Sequence, residues 1–152
     1  MRIDTPVGPA WATVENGALT GFGFGEAPER GVANEGVAHQ IAEYFAGARH
    51  SFDLPLAPRG SEFQKKVWAE LMRIPFGETI TYAELARRVG KPRASRAVGR
   101  ANATNRIALV IPCHRVIGSN GKLTGYAFGV DIKEKLLAWE RGCLTKRRPA
   151  AA

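Results

Sequence analysis

Cysteine is scarce in this 152-residue chain: Cys113 and Cys143 are the only two. No CxxC pair occurs and no Cys/His cluster has zinc-ligand spacing, since His39 and His50 lie far from either thiol in sequence. A metal centre is therefore not expected. No apolar run is long enough to span a bilayer and no secretory signal opens the chain, so we expect a cytoplasmic protein with reduced thiols and no membrane partner. Hydrophobic residues at 45% exclude a disordered polyelectrolyte and allow a buried core.

Acid is missing where base is dense. Residues 1–60 hold four basic against seven acidic side chains, a net of −3, whereas residues 61–152 hold eighteen against seven, a net of +11. Between Leu85 and Arg115 there are eight Lys or Arg and no carboxylate. Scattered lysines serve solubility, but a basic stretch without a single acid favours a polyanionic partner.

The patterning divides the chain into an N-terminal α/β lobe (1–58), a C-terminal domain (59–142) and a basic tail (143–152) expected to be flexible. In the first lobe, two apolar stretches flank Glu15-Asn16-Gly17, and Asn-Gly is the preferred turn of a two-residue hairpin. Asn34 suits the cap of a helix carrying Val37, Ile41 and Phe45 on one face and ending at Gly47. The alternation of Phe52, Leu54 and Leu56 predicts one more short strand. This lobe carries packing signals and no visible chemistry.

In the second domain, Ser61-x-x-Gln64 has capping-box spacing and opens a helix with Phe63, Val67, Trp68 and Leu71 at helical period. Thr81-x-x-Glu84 predicts a second box and a second helix ending near Gly90. Lys91-Pro92 turns the chain into a third helix from Arg93 to about Asn102, which completes a helix-turn-helix pattern. Arg93, Arg96 and Arg100 then share a face among small residues, Ala97 and Gly99 included, which lets a backbone approach a partner while the guanidinium groups project. A solvated arginine face is the alternative, and the sequence does not choose a DNA groove. Ile107–Ile111 has the length of a buried strand. A final helix begins near Asp131 and places Glu140 at the edge of its apolar face.

By default Cys113, following an apolar run, is a small buried hydrophobe. Its company argues otherwise: His114 and Arg115 adjoin it and Glu140 supplies a semi-buried carboxylate. Cationic neighbours or a base promote the reactive thiolate, and a carboxylate behind an imidazole orients it. On a regular strand Cys113 and His114 would face opposite sides, so Pro112 is read as the point where the chain turns and lets them converge.

Ile111-Pro112-Cys113-His114-Arg115-Val116-Ile117 resembles the active-site signature of the O6-alkylguanine-DNA alkyltransferases. The blocks Phe63–Trp68, Ile74–Thr79, Tyr82–Ala86, Arg96–Gly99, Ala101-Asn102 and Leu123–Ala127 resemble that family in its order, over about residues 60–142. The resemblance implies an α/β (α+β) fold, with a small β-containing lobe followed by a mainly helical domain. It implies a cofactor-free protein that flips O6-alkylguanine out of double-stranded DNA and transfers the alkyl group, chiefly methyl, to itself once. In this reading Cys113 is the acceptor, His114 its base through a water, and Glu140 the carboxylate behind that histidine. Asn105 braces the helix-turn-helix against the site, Tyr82 sits at the damaged nucleotide and Lys133 polarises the tyrosine. Tyr126, the Ala127 backbone and Val116 shape the guanine pocket. Arg96 fills the gap left by the base, with Thr81, Tyr82, Arg93, Ala97 and Arg100 completing a DNA face that enters the minor groove. The protein is expected to act as a monomer able to assemble on DNA.

Some positions depart from the family pattern. Ala127 stands where some members carry Ser, Phe128 replaces a frequent Gly, and the zinc ligands of some relatives' first lobes are missing. These bear on substrate range. The rival readings are a non-enzymatic lesion binder of the alkyltransferase-like type, a Cys-His-Glu acyl hydrolase and a helix-turn-helix regulator. The first lacks an acceptor cysteine, the second leaves the arginine helix unexplained, and the third needs no Cys-His pair.

Overall fold

A computed structural model describes residues 1–26, 34–123 and 125–147, the last three as backbone only. In the first lobe β1 (Arg2–Thr5), β2 (Gly8–Glu15) and β3 (Ala18–Phe24) form an antiparallel sheet in chain order. The β2–β3 turn is built as its sequence demands: Asn16 (φ +50°) and Gly17 (φ +79°) are both left-handed, the conformation that matches strand twist. One sheet face buries Ala10, Ala12, Phe22 and Phe24. Helix α1 (Glu35–Phe45) starts where the Asn34 side chain accepts from Val37 N at 3.1 Å, and it buries Val37, Ile41 and Tyr44.

The alternating segment at Phe52–Leu56 is not a strand. Leu56 makes only an isolated bridge to Leu19, with Leu19 N donating to Pro55 O (2.8 Å) and Ala57 N to Leu19 O (2.9 Å). Pro55 has no N–H with which to continue a ladder.

The second domain opens with α2 (Glu62–Leu71), whose capping box between Ser61 and Gln64 is complete in both directions. After β4 (Ile80–Thr81), helix α3 (Tyr82–Arg88) is capped by Thr81, which accepts from Glu84 N at 3.1 Å. The reciprocal half of this expected box is lost because the Glu84 carboxylate turns to Arg87 and Arg88. Helix α4 (Ser95–Ala103) begins two residues later than its pattern suggested. Ala94 N donates to Lys91 O (2.9 Å), so Lys91–Ala94 is a turn and Arg93 precedes the helix instead of sharing its face. Trp68 Nε1 donates to Ala101 O at 2.8 Å and ties α2 under α4.

The apolar run Ile107–Ile111 is also not a strand. Ile107 bridges Phe22, after which Val110 N bonds Ala108 O (2.8 Å) and Ile111 N bonds Ile107 O (3.0 Å), coiling the segment into consecutive turns. Leu109 adopts φ +69°, which costs a non-glycine residue about 1–3 kcal/mol. All five residues are buried, so burial rather than sheet formation explains the apolar run. A 3-10 turn (Cys113–Arg115) follows, then β5 (Val116–Ile117), which pairs in parallel with β4. Helix α5 (Val130–Arg147) carries the chain through the first half of the segment expected to be a tail; residues 148–152 lie outside those described. No described helix is long and apolar enough to cross a membrane.

One apolar core runs through both lobes, from Phe22 and Tyr44 to Trp68, Ile107 and Leu136. The sheet meets the coiled segment directly, with Phe22 N donating to Arg106 O and Ala108 N to Phe22 O, both at 2.9 Å.

Candidate active site

The 3-10 turn resolves the conflict that a strand would have created at Cys113 and His114. Both are buried, yet they leave the turn in directions that place the thiol at a cavity and the imidazole against α5. Asn105 holds the preceding coil from inside. Its Nδ2 donates to Ile111 O (2.8 Å), its Oδ1 accepts from Ile107 N (3.0 Å), and its own N–H bonds Asn102 O at the end of α4. Asn102 Nδ2 reaches Cys113 O at 3.5 Å. The end of the arginine helix and the cysteine turn are thus tied by two asparagines.

His114 Nε2 lies 2.8 Å from Glu140 Oε2, and both side chains are fully buried. Four further donors converge on that carboxylate: Arg115 Nε (2.8 Å) and Nη2 (2.9 Å), Tyr44 Oη (2.7 Å) and Gly77 N (3.2 Å). Arg115 Nη1 donates to Ile74 O at 2.7 Å. Burial alone would raise the Glu140 carboxyl, but hydrogen bonds and charge from His114 and Arg115 hold it well below the usual carboxylate range. His114 Nδ1 is buried without a hydrogen-bond partner among the described residues, which leaves it open as a proton acceptor.

The thiol itself rests protonated. Burial pushes Cys113 up to about 11, against the opposing pull of a hydrogen bond with Asn105 and the charge of Lys133. His114 is lowered, by burial first, with Glu140 pulling the other way. Lys133 is fully buried on α5 and carries its Nζ 5.9 Å from the Tyr82 ring centre.

Cys113 opens on a small cavity of about 10 Å³, lined by Asn102, Asn105, Tyr126, Ala127 and Phe128 among others. Its rim residues Ala103 and Gly125 also line a wider groove of about 250 Å³ with Tyr82, Ser95 and Gly99. The acceptor candidate therefore faces the helix-turn-helix surface. Phe128 packs edge-on against Tyr126 (5.6 Å) and against Phe24 of the sheet (5.9 Å), which fixes the far wall. Val116 lies beneath, buried in β5, with its N–H donating to Cys113 O. Thr81 is half-buried and uses its hydroxyl as a helix cap. Arg93, Arg96 and Arg100 are exposed; Ala97 and Arg100 line a separate groove with Ser61, Gln64 and Thr104. The N-terminus of α4 has neither a side-chain cap nor an acid in its first turn, so its free N–H groups suit an anion.

Residues 62–142 match the family model described as the DNA binding domain of 6-O-methylguanine DNA methyltransferase. The chain belongs to this family. It is 50% identical over 151 residues to the methylated-DNA–protein-cysteine methyltransferase of Methanosarcina acetivorans, a match covering 93% of this chain and 97% of that one. A Methanosarcina barkeri protein of the same name is 63% identical over 107 residues, 70% of this chain and 68% of the relative. Among solved structures, Mycobacterium tuberculosis OGT in complex with DNA superposes with a TM-score of 0.87 at 42% identity, covering 93% and 92% of the two chains.

Sequence reasoning about this methyltransferase-family chain missed three site residues. Arg115 was seen beside the cysteine but given no task, and its guanidinium supplies a permanent counter-charge to Glu140. Asn102 was read only as part of a block. Tyr44 lies in the lobe that showed no chemistry, yet it touches the carboxylate directly. A signal existed for Tyr44: it completes the Val37–Ile41 stripe, and a fully buried tyrosine needs a partner for its hydroxyl.

Proposed function

We propose that this protein repairs duplex DNA by taking the alkyl group, chiefly methyl, from O6-alkylguanine onto Cys113 in one irreversible turnover, acting as a monomer. The observation that carries the reading is the buried His114–Glu140 pair beside a cysteine whose cavity opens onto the α3–α4 groove. His114 takes the Cys113 proton at Nδ1, and Glu140 stabilises the imidazolium that forms. The Cys113 sulfur attacks the alkyl carbon, the carbon–O6 bond breaks, and guanine leaves as an anion that accepts a proton. Tyr82, which lines the groove, donates it in this reading, and Lys133 over its ring makes the phenol a better donor. A thioether has no leaving group at neutral pH, so the protein is spent.

The inner cavity is roughly the size of one water, so entry of a purine requires the Gly125–Gly129 segment to move outward. Phe128, wedged between Tyr126 and Phe24, limits that movement and favours a methyl over a bulky adduct. The base must leave the stack at a cost of about a few kcal/mol, and Arg96 on α4 fills its place. Phosphate contacts from Arg93, Arg100 and the open end of α4 supply sequence-independent affinity.

Intact-protein and peptide mass spectrometry after incubation with duplex containing O6-methylguanine tests the reading. One methyl group on Cys113 is expected, and an unmodified Cys113 sinks it. The lesion-binder alternative is disfavoured by the presence of the acceptor, and it predicts that unmodified outcome. A second expectation concerns base flipping. Arg96→Ala should slow repair of duplex by roughly 10–100-fold, the loss of about 1–3 kcal/mol of contact, while reaction with free O6-benzylguanine changes little. Equal losses on both substrates count against the flipping role.

A further inference from the structure

The first lobe reaches the reaction centre through Tyr44. Tyr44 Oη donates to Glu140 Oε2 at 2.7 Å, the same oxygen that meets His114 Nε2 at 2.8 Å and Arg115 Nη2 at 2.9 Å. Tyr44 is fully buried, and its ring is boxed by Phe52 (5.6 Å, stacked), Phe45 (4.8 Å, edge-on) and Phe76 (5.8 Å, edge-on). His50 stacks flat on the other partner of this box, Phe76, at 3.9 Å. The packing fixes the hydroxyl and keeps water from replacing it.

We infer that Tyr44 is a positioning residue of the first lobe that sets the proton affinity of the His114–Glu140 pair, and through it the pH at which Cys113 becomes reactive. The physical basis is competition for one oxygen. A donor on Oε2 withdraws charge that the carboxylate would otherwise offer to the imidazole. Its bond is strongest while His114 is neutral and Glu140 carries its full charge, and it weakens when imidazolium forms beside it. Tyr44 therefore stabilises the resting state, neutral thiol and neutral imidazole, more than the thiolate–imidazolium state. The step it controls is a proton moving from Cys113 Sγ to His114 Nδ1, with no change in electron count.

The other charged or titratable groups facing the pair stay in place when Tyr44 is altered. They are Arg115 in the cysteine turn, Lys133 on α5, Cys113 itself and Tyr126 in the pocket loop. Tyr44 holds its own proton over the working range, because burial first and the Glu140 charge second push its phenol far upward. It acts as a fixed donor and not as a proton carrier.

The inference rests on the alkyl-transfer reading of Cys113, and the experiment separates the two. Single-turnover methyl transfer from a lesion duplex is measured against pH for the parent, for Tyr44→Phe and for the protein carrying 3-fluorotyrosine at position 44. Phenylalanine deletes the donor and keeps the ring; 3-fluorotyrosine strengthens it without changing its place. The acidic limb of the rate profile, where His114 gains the proton that stops it acting as a base, is expected to move up by about 0.5–1 pH unit in Tyr44→Phe and down with 3-fluorotyrosine, with duplex affinity unchanged in both. Limbs that coincide with the parent's, or that move the opposite way, overturn the inference even where the maximal rate falls. A purely structural tyrosine produces coinciding limbs with a lower rate at every pH. Failure of the parent to transfer methyl at any pH overturns the reading of Cys113 instead. Should Tyr44→Phe unfold, the 3-fluorotyrosine limb decides alone.

Discussion

Cys113→Ala is expected to abolish methyl transfer, by on the order of 10⁴-fold or more, while binding lesion duplex within a few-fold of the parent. Among the described residues that line the cavity nothing else attacks a saturated carbon: Asn105, Asn102 and Tyr126 are weak or neutral nucleophiles, and His114 faces Glu140 on α5 and does not line it. The substitution is small in volume. Cys113 is buried, so alanine leaves a sulfur-sized gap, but Asn105 keeps its backbone bonds to Ile107 and Ile111, which hold the coil in shape. In the proposed reading affinity comes from a different surface, the exposed arginines and uncapped N-terminus of α4. It should therefore fall with salt in the variant along the same slope as in the parent. Titrations of both proteins with one lesion duplex at several salt concentrations check this. If a folded Cys113→Ala no longer binds, the cysteine is structural and the division between groove and acceptor is wrong.

That division was legible in the chain wherever chemistry was local. The Asn16-Gly17 turn, the Asn34 cap and the Ser61–Gln64 box each need residues a few positions apart, and each forms as written. Cys113, His114 and Glu140 were readable because the turn at Pro112 could be anticipated and Glu140 falls on a helix face with Leu136 and Leu137. What escaped depends on partners distant in sequence. Ile107–Ile111 has a strand's composition, since burial and not pairing selects its side chains. The bonds that replace a ladder come partly from Asn105, and nothing in an apolar run announces that. Arg93 left the helix face because a turn that bonds Ala94 N to Lys91 O delays the first helical residue. Tyr44 meets Glu140 across 96 positions, and only the shared core brings them together. Lys133 and Glu140 show the residual signal such sites leave: two charged residues, seven apart, on the buried stripe of α5.

That buried carboxylate makes the second large expectation a stability effect. Arg115→Met should destabilise the fold by about 3–5 kcal/mol, a fall in Tm on the order of 10 °C, because it strands the Glu140 charge in the core. Tyr44, Gly77 N and His114 would still donate to it, but none carries a permanent positive charge, and Ile74 O would lose its donor. Adding Glu140→Gln should recover part of that loss by removing the stranded charge, without restoring fast transfer, because His114 then has no anion behind it. Denaturant unfolding of the two single variants and the double variant gives the coupling. If the double variant is less stable than Arg115→Met by the full cost of Glu140→Gln alone, the pair is not coupled. The pH dependence has a fixed sign. Glu140 and His114 are both held below their unfolded values, so between those limits the unfolded chain binds more protons and parent stability drops as pH falls. The His114 share is lost below about pH 6.5 and the Glu140 share below about pH 4, continuing through its lowered folded value. Arg115→Met removes one of the groups that hold Glu140 down, so its carboxyl gains a proton at higher pH. Its deficit relative to the parent should be largest near neutrality and narrow in acid. A deficit that is constant from pH 7 to pH 3 would show that Arg115 contributes packing on Phe76 and not the counter-charge.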